Sequence, residues 1–168
     1  WQLISIYESL MEMGEQHGLQ DFGGQAFNSM RLEKMYRAYG AEFTEEISAL
    51  EAGMDRFLDL SRDFIGSDNI RERKTNGVNT KLAYLVFDDQ LPAECFGNEA
   101  VFFGDKLSGI ITSGAYGYRV GHSIAFAYIK PEHCKEGTNL TVDTSIGTRK
   151  CHVSMSASYD KDNERLRV

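Results

Sequence analysis

Beyond residue 75 the chain stops reading as helix. Short runs rich in β-branched and aromatic residues follow one another at 81–87, 100–103, 107–113, 123–129, 139–144 and 148–155, with Gly, Asn and Asp between them. Runs this close together leave no room for the helical crossovers that parallel strands require. They predict a small antiparallel barrel or sandwich.

Upstream the periodicity is that of helices. WQLIS predicts a short strand over 1–5, after which Ile6, Tyr7, Leu10, Met11 and Met13 recur at helical spacing until Gly18 supplies a stop. A second helix is expected over 23–38, with Leu32, Met35, Tyr36 and Tyr39 on one stripe, Gly40 ending it, and Glu33 and Arg37 placed to pair four residues apart. A turn of helix at 48–53, a strand at 56–60 and a helix over 67–74 capped by Ser67 complete this half. TNGVNT at 75–80 is a loop of turn formers, so the reading is an α+β chain of two parts, 1–76 and 77–168. The polar tail at 160–167 is expected to fray.

Composition removes several functions. The 168 residues carry a net charge of −7, which argues against a phosphate-binding surface built from clustered Lys and Arg. No run approaches the ~18 apolar residues of a membrane span. Cys95, Cys134 and Cys151 are odd in number and lack C-x-x-C spacing, so they read as reduced thiols, while His17, His122, His133 and His152 are too scattered for a metal site. P-loop, G-x-S-x-G and H-E-x-x-H motifs are missing. Gly114, Gly117 and Gly121 fall between two expected strands without a following helix, so they read as a hairpin loop and not as a phosphate cradle. Tyr116, Tyr118, Phe126 and Tyr128 read as core or rim residues of the barrel, and Arg31 and Glu33 as members of separate ion pairs.

The blocks RLEK…YRAYGAE, LEAGM and DFIG succeed one another within 23–66, and TSGAYGYRVGHSIAFAYI occupies 112–129. In this order they resemble the C-terminal part of the aminomethyltransferase-like folate-binding region of dimethylglycine and sarcosine dehydrogenases and oxidases, relatives of the glycine-cleavage T-protein. The resemblance implies the tail of a ferredoxin-like folate-binding domain over 1–76 and a C-terminal β-barrel over 77–168. Its implied cofactor is tetrahydrofolate, which accepts the one-carbon unit released when a methylated amine is demethylated. FAD would belong to an upstream domain of the same polypeptide, and a chain beginning at Trp1 reads as a fragment of it. The compartment implied is a bacterial cytoplasm or the mitochondrial matrix.

For site residues the resemblance implies two positions. The family's pterin-binding carboxylate lies in a G-[WYF]-E-[LI] strand that matches Trp1, Gln2 and Leu3, so Gln2 stands where Glu is usual. An ionised carboxylate accepts two parallel N–H donors, whereas a glutamine offers one acceptor and a competing NH₂. Weaker folate binding, a different ligand, or a water relay would each follow. The folate-contacting aromatic of the R-L-E helix corresponds to Tyr36, and Phe27 stands where T-proteins carry an Arg. The family's essential Asp belongs to a preceding segment, so no catalytic residue is expected here and the fragment alone should not turn over. A freestanding folate-dependent aminomethyltransferase or demethylase, and a non-catalytic interaction module of the same fold, are the other two readings.

Overall fold

The computed structural model describes residues 2–92 and 95–167, apart from the side chain of Leu166. Its helices are α1 (Gln2–Gly14), α2 (Gly24–Glu33) and α3 (Ser67–Asn76), and its strands are β1 (Lys81–Phe87), β2 (Ala100–Phe103), β3 (Lys106–Gly117), β4 (His122–Ile129), β5 (Asn139–Thr144) and β6 (Gly147–Ser154). The architecture is α+β: helices and turns first, then a closed antiparallel barrel in the order β1-β4-β3-β2-β5-β6. β1 closes it by pairing with β4 on one side and β6 on the other.

Closure divides the apolar residues into two sets. Ala83, Leu85, Phe87, Val101, Ala125, Ala127, Ile129, Val142 and Val153 form one cluster with the buried thiols Cys95, Cys134 and Cys151. Leu82, Tyr84, Ile124, Phe126 and Tyr128, on the opposite faces of β1 and β4, pack with Leu32 of α2 and with the partly buried Met35 and Ile47. This is why β1 and β4 read as nearly continuous apolar runs, while β5 alternates. Gly109 lets β3 and β4 approach, since a Cβ there would stand 1.9 Å from the Tyr128 carbonyl oxygen.

Several expectations are corrected upstream of the barrel. Gln2 begins α1 and is not in a strand, so the expected strand over 1–5 is absent among the described residues; Trp1 lies outside them. α1 buries no residue: Leu3, Ile6, Leu10 and Met13 are all exposed. α2 stops at Glu33 and does not reach residue 38, because Met35 adopts a left-handed φ of 57°. The Met35 amide then donates to the Leu32 carbonyl and the Tyr36 amide to the Arg31 carbonyl, each at 2.8 Å, the paired bonds of a Schellman stop. Residues 56–60 hold part of a 3-10 turn, Asp55–Phe57, in place of a strand, and 48–53 form hydrogen-bonded turns. Gly66, not Ser67, is the N-cap of α3. Gly114 and Gly117 lie within β3, leaving Gly121 in the turn.

Candidate functional site

α2 is held on the outer face of β3 by polar side chains reaching backbone carbonyls. The Asn28 amide donates to the Gly114 carbonyl at 3.0 Å, and the Ser29 hydroxyl donates to that of Tyr116 at 2.7 Å. Further along the helix Arg31 is buried, with all three of its side-chain nitrogens engaged. Its Nε donates to Asn28 Oδ1 at 2.9 Å, Nη1 to Glu42 Oε2 at 3.0 Å and to the Tyr36 carbonyl at 3.0 Å, and Nη2 to Ser113 Oγ at 2.9 Å. A bulge in β3 between Ile111 and Ser113 turns consecutive side chains the same way, so Thr112 and Ser113 both donate to Glu42 Oε1. The Ala38 amide donates to Glu42 Oε2 at 2.8 Å and the Tyr128 hydroxyl to the Glu42 carbonyl at 2.8 Å. Burial first, and then the Glu42 charge, push the Tyr128 phenol up from its ordinary value. This network fixes the chain that leaves α2, and with it Tyr36.

Beside it opens a cleft of about 930 Å³ between α2, the end of β3 and the C-terminal segment. Tyr36, Tyr116, Tyr118 and Tyr159 line it together with Glu33, Lys34, Arg119 and Arg165. Tyr116 and Tyr118 meet edge to face at 5.2 Å. The ring of Tyr159 is approached by Arg119 at 5.5 Å, Arg165 at 5.9 Å and Lys34 at 6.0 Å, arrangements in which a cation meets the negative face of an arene. Glu33 is a buried carboxylate in this wall, with Oε1 accepting the Arg119 amide at 2.7 Å. Gly117 makes that approach possible, because a Cβ there would stand 3.1 Å from Glu33 Oε1 and 2.6 Å from Val120.

The C-terminal segment is tied down, against the expectation of a frayed tail. The Tyr159 amide donates to the Glu33 carbonyl at 3.0 Å, and the Lys34 ammonium donates to the Asp160 carbonyl at 2.6 Å, Asp160 Oδ2 at 3.0 Å and Asn163 Oδ1 at 2.6 Å. Its root is fixed by the Tyr84 hydroxyl, 2.9 Å from Ser158 Oγ, and burial raises the Tyr84 phenol to about 12.

Of the two residues expected at a site, Tyr36 lines this cleft, 48% exposed, while Gln2 lies on the exposed face of α1 and is not among the lining residues. Glu33, Lys34, Arg119, Tyr159 and Arg165 were not anticipated there. Arg31 forms the expected ion pair, with Glu42. Among the described residues Glu33 does not: it receives a backbone amide, and Arg37 donates to the Ala52 carbonyl instead of pairing with it. Phe126 and Tyr128 are buried as expected for the barrel, and Tyr116 is half-buried, but Tyr118 is 80% exposed at the cleft. A second cleft of about 700 Å³ lies on the other side of α2, where Arg31 turns inward to Glu42 and presents no free charge.

Residues 2–62 match the GCVT N-terminal domain family and residues 81–160 the glycine cleavage T-protein C-terminal barrel domain family. The chain belongs to the glycine-cleavage T-protein family. It is 37% identical over 142 residues to the mitochondrial dimethylglycine dehydrogenase of Mus musculus, an alignment covering 83% of this chain and 16% of that protein. It is 35% identical over 159 residues to an aminomethyltransferase of Corynebacterium aurimucosum, covering 94% of this chain and 42% of the other. The chain thus spans less than half of the length of these curated relatives. The glycine cleavage system aminomethyltransferase T of Bartonella henselae superposes with a TM-score of 0.73 at 18% identity, over 81% of this chain and 38% of that one, which establishes a shared fold. Both halves of this T-protein-family chain contribute to the cleft: α2 from the first match, β3 and Tyr159 from the second.

Proposed function

We propose that the cleft beside α2 is the folate-binding part of an aminomethyltransferase-like region, within a longer flavin-dependent dimethylglycine or sarcosine dehydrogenase. The observation that carries this reading is the pairing of aromatic rings with one buried carboxylate and a group of cations in a cleft of about 930 Å³. A folate is a flat heteroaromatic with N–H donors at one end and carboxylates at the other. Glu33 can accept the pterin donors, Tyr36 and Tyr116 can pack against its rings, and Arg119 and Arg165 can meet the anionic tail. The volume lies within the range usual for small-molecule sites, roughly 300–1,000 Å³.

Tetrahydrofolate, when bound, supplies a nucleophilic nitrogen that accepts the one-carbon unit. This chain's residues hold and orient it and exclude water. FAD and the group that positions the folate nitrogen belong to upstream segments, and residues 1–76 and 77–168 act as the end of the folate-binding domain and the barrel that closes it. The exposed apolar face of α1 fits docking against those segments. The compartment is the mitochondrial matrix or a bacterial cytoplasm; among the described residues no helix is long and apolar enough to cross a membrane.

Calorimetric titration of tetrahydrofolate into the longest natural polypeptide containing this chain tests the reading. Glu33→Gln should weaken binding by about tenfold or more, as expected for loss of a charge-assisted hydrogen bond, and Gln2→Glu should leave it unchanged. Binding that appears only in Gln2→Glu would return pterin recognition to the N-terminal segment and make the natural chain a non-catalytic module.

A further inference from the structure

We propose that Lys34 is a positioning residue that latches the C-terminal segment over the cleft, so that ligand exchange requires residues 159–165 to be released. This deepens the folate-cleft reading, which it takes as the identity of the site. Lys34 spends all three ammonium protons on that segment: on the Asp160 carbonyl, on Asp160 Oδ2 and on Asn163 Oδ1. Its side chain and that of Asp160 are 13% and 9% exposed, so water competes poorly for these bonds. Three acceptors converging on one point suit a compact ammonium and not a planar guanidinium.

Lys34 grips the segment where its backbone turns. Among the described residues four non-glycine residues have positive φ, and two of them, Asp160 at 44° and Asn163 at 56°, are the residues that Lys34 grips. Asp and Asn are the non-glycine residues that take this conformation most readily, and the Asp160 carboxylate also accepts the Glu164 amide at 2.9 Å, so Lys34 clamps a turn that the segment helps to form. The latch has a direct consequence at the site, because the gripped segment carries Tyr159 and Arg165, two residues of the cleft wall. Lys34 also neighbours Glu33, whose carbonyl holds the Tyr159 amide, and Asn163 Oδ1 lies 3.4 Å from the Tyr36 hydroxyl. Release of the segment therefore withdraws one wall of the cleft and frees Tyr36 on the opposite one.

Hydrogen exchange and tyrosine nitration on the full chain test this without a ligand. In Lys34→Met, exchange at residues 159–165 and nitration of Tyr116 should each rise by about tenfold, the scale set by loss of a charge-assisted bond, while the already exposed Tyr118 serves as the unchanged control. Asn163→Ala attacks the latch from outside the helix and should move both readouts the same way, and the double variant should add little to Lys34→Met. Unchanged exchange, faster exchange without faster Tyr116 labelling, or fully additive effects would each overturn the latch. Protection of wild-type Tyr116 by 5-formyltetrahydrofolate reports separately on the folate reading: its absence removes the ligand identity and leaves the exchange and labelling results to decide the latch.

Discussion

Arg31 and Glu42 lie eleven residues apart in sequence and 3.0 Å apart in space, with side chains 8% and 0% exposed. They are the Arg of RLEK and the Glu of YRAYGAE, so two blocks of one motif are the two ends of one buried ion pair. Removing either partner strands the other charge out of water. Arg31→Met and Glu42→Gln should each lower stability by about 3–5 kcal/mol in urea unfolding, and Arg31→Met/Glu42→Leu by less than their sum.

Gly109 has no room for a side chain. A Cβ would meet the backbone of Tyr128 and Ile129 on β4, at 1.9 Å from a carbonyl oxygen and 2.7 Å from a Cα, and backbone in a closed barrel cannot step aside. Gly109→Ala should cost about 3 kcal/mol, the upper end of the overpacking range, with a matching fall in thermal midpoint.

The three thiols should be chemically silent in the native state. Burial pushes Cys95 and Cys151 up to about 12 and raises Cys134, so almost no thiolate exists at pH 8. Ellman's reagent should release no more than a trace of chromophore until denaturant is added, and then titrate all three.

Asp160 links the C-terminal segment to pH. The Lys34 ammonium, with the amides of Arg165 and Glu164, holds its carboxyl below the ordinary carboxylate range. A depressed folded value means that the contact contributes fully above the unfolded value, about 3.9, and is lost as pH falls through the folded one. A ¹³C titration of the carboxyl carbons should place the Asp160 midpoint below that of a free aspartate, with the Asn163 side-chain amide moving in the same step. A midpoint at or above the free value would mean that Lys34 does not hold it in solution.

How far the fold was legible depended on where its signals lay. The bounds 81–87, 100–103 and 139–144 coincide with β1, β2 and β5 because turn formers punctuate the chain at each end. The end of α2 was not legible: Met35 takes a left-handed conformation that Gly usually fills, so the sequence carries no stop there and the apolar stripe reads through to Tyr39, which is 81% exposed. WQLIS has no period long enough to separate strand from helix, and residues 56–60 show the same ambiguity. Tyr36, expected through the motif that carries it, lines the cleft. Glu33 and Lys34 stand in that motif too, but their use depends on Arg119, Asp160 and Asn163, which are 86, 126 and 129 residues away and leave no local trace.

The pairing of β1 with β6 also dictates the order of events during synthesis. Residues 84–87 emerge before the partners that seal them into the barrel, Cys151, His152, Val153 and Ser154. Until those leave the ribosome, the hairpin of β3 and β4 can form but β1 keeps one unpaired margin, a template for strand addition by other nascent chains. Closure by such distant partners is slow, since loop entropy must be overcome before the contacts form. A nascent chain stalled before residue 147 therefore carries β1 with that margin still open.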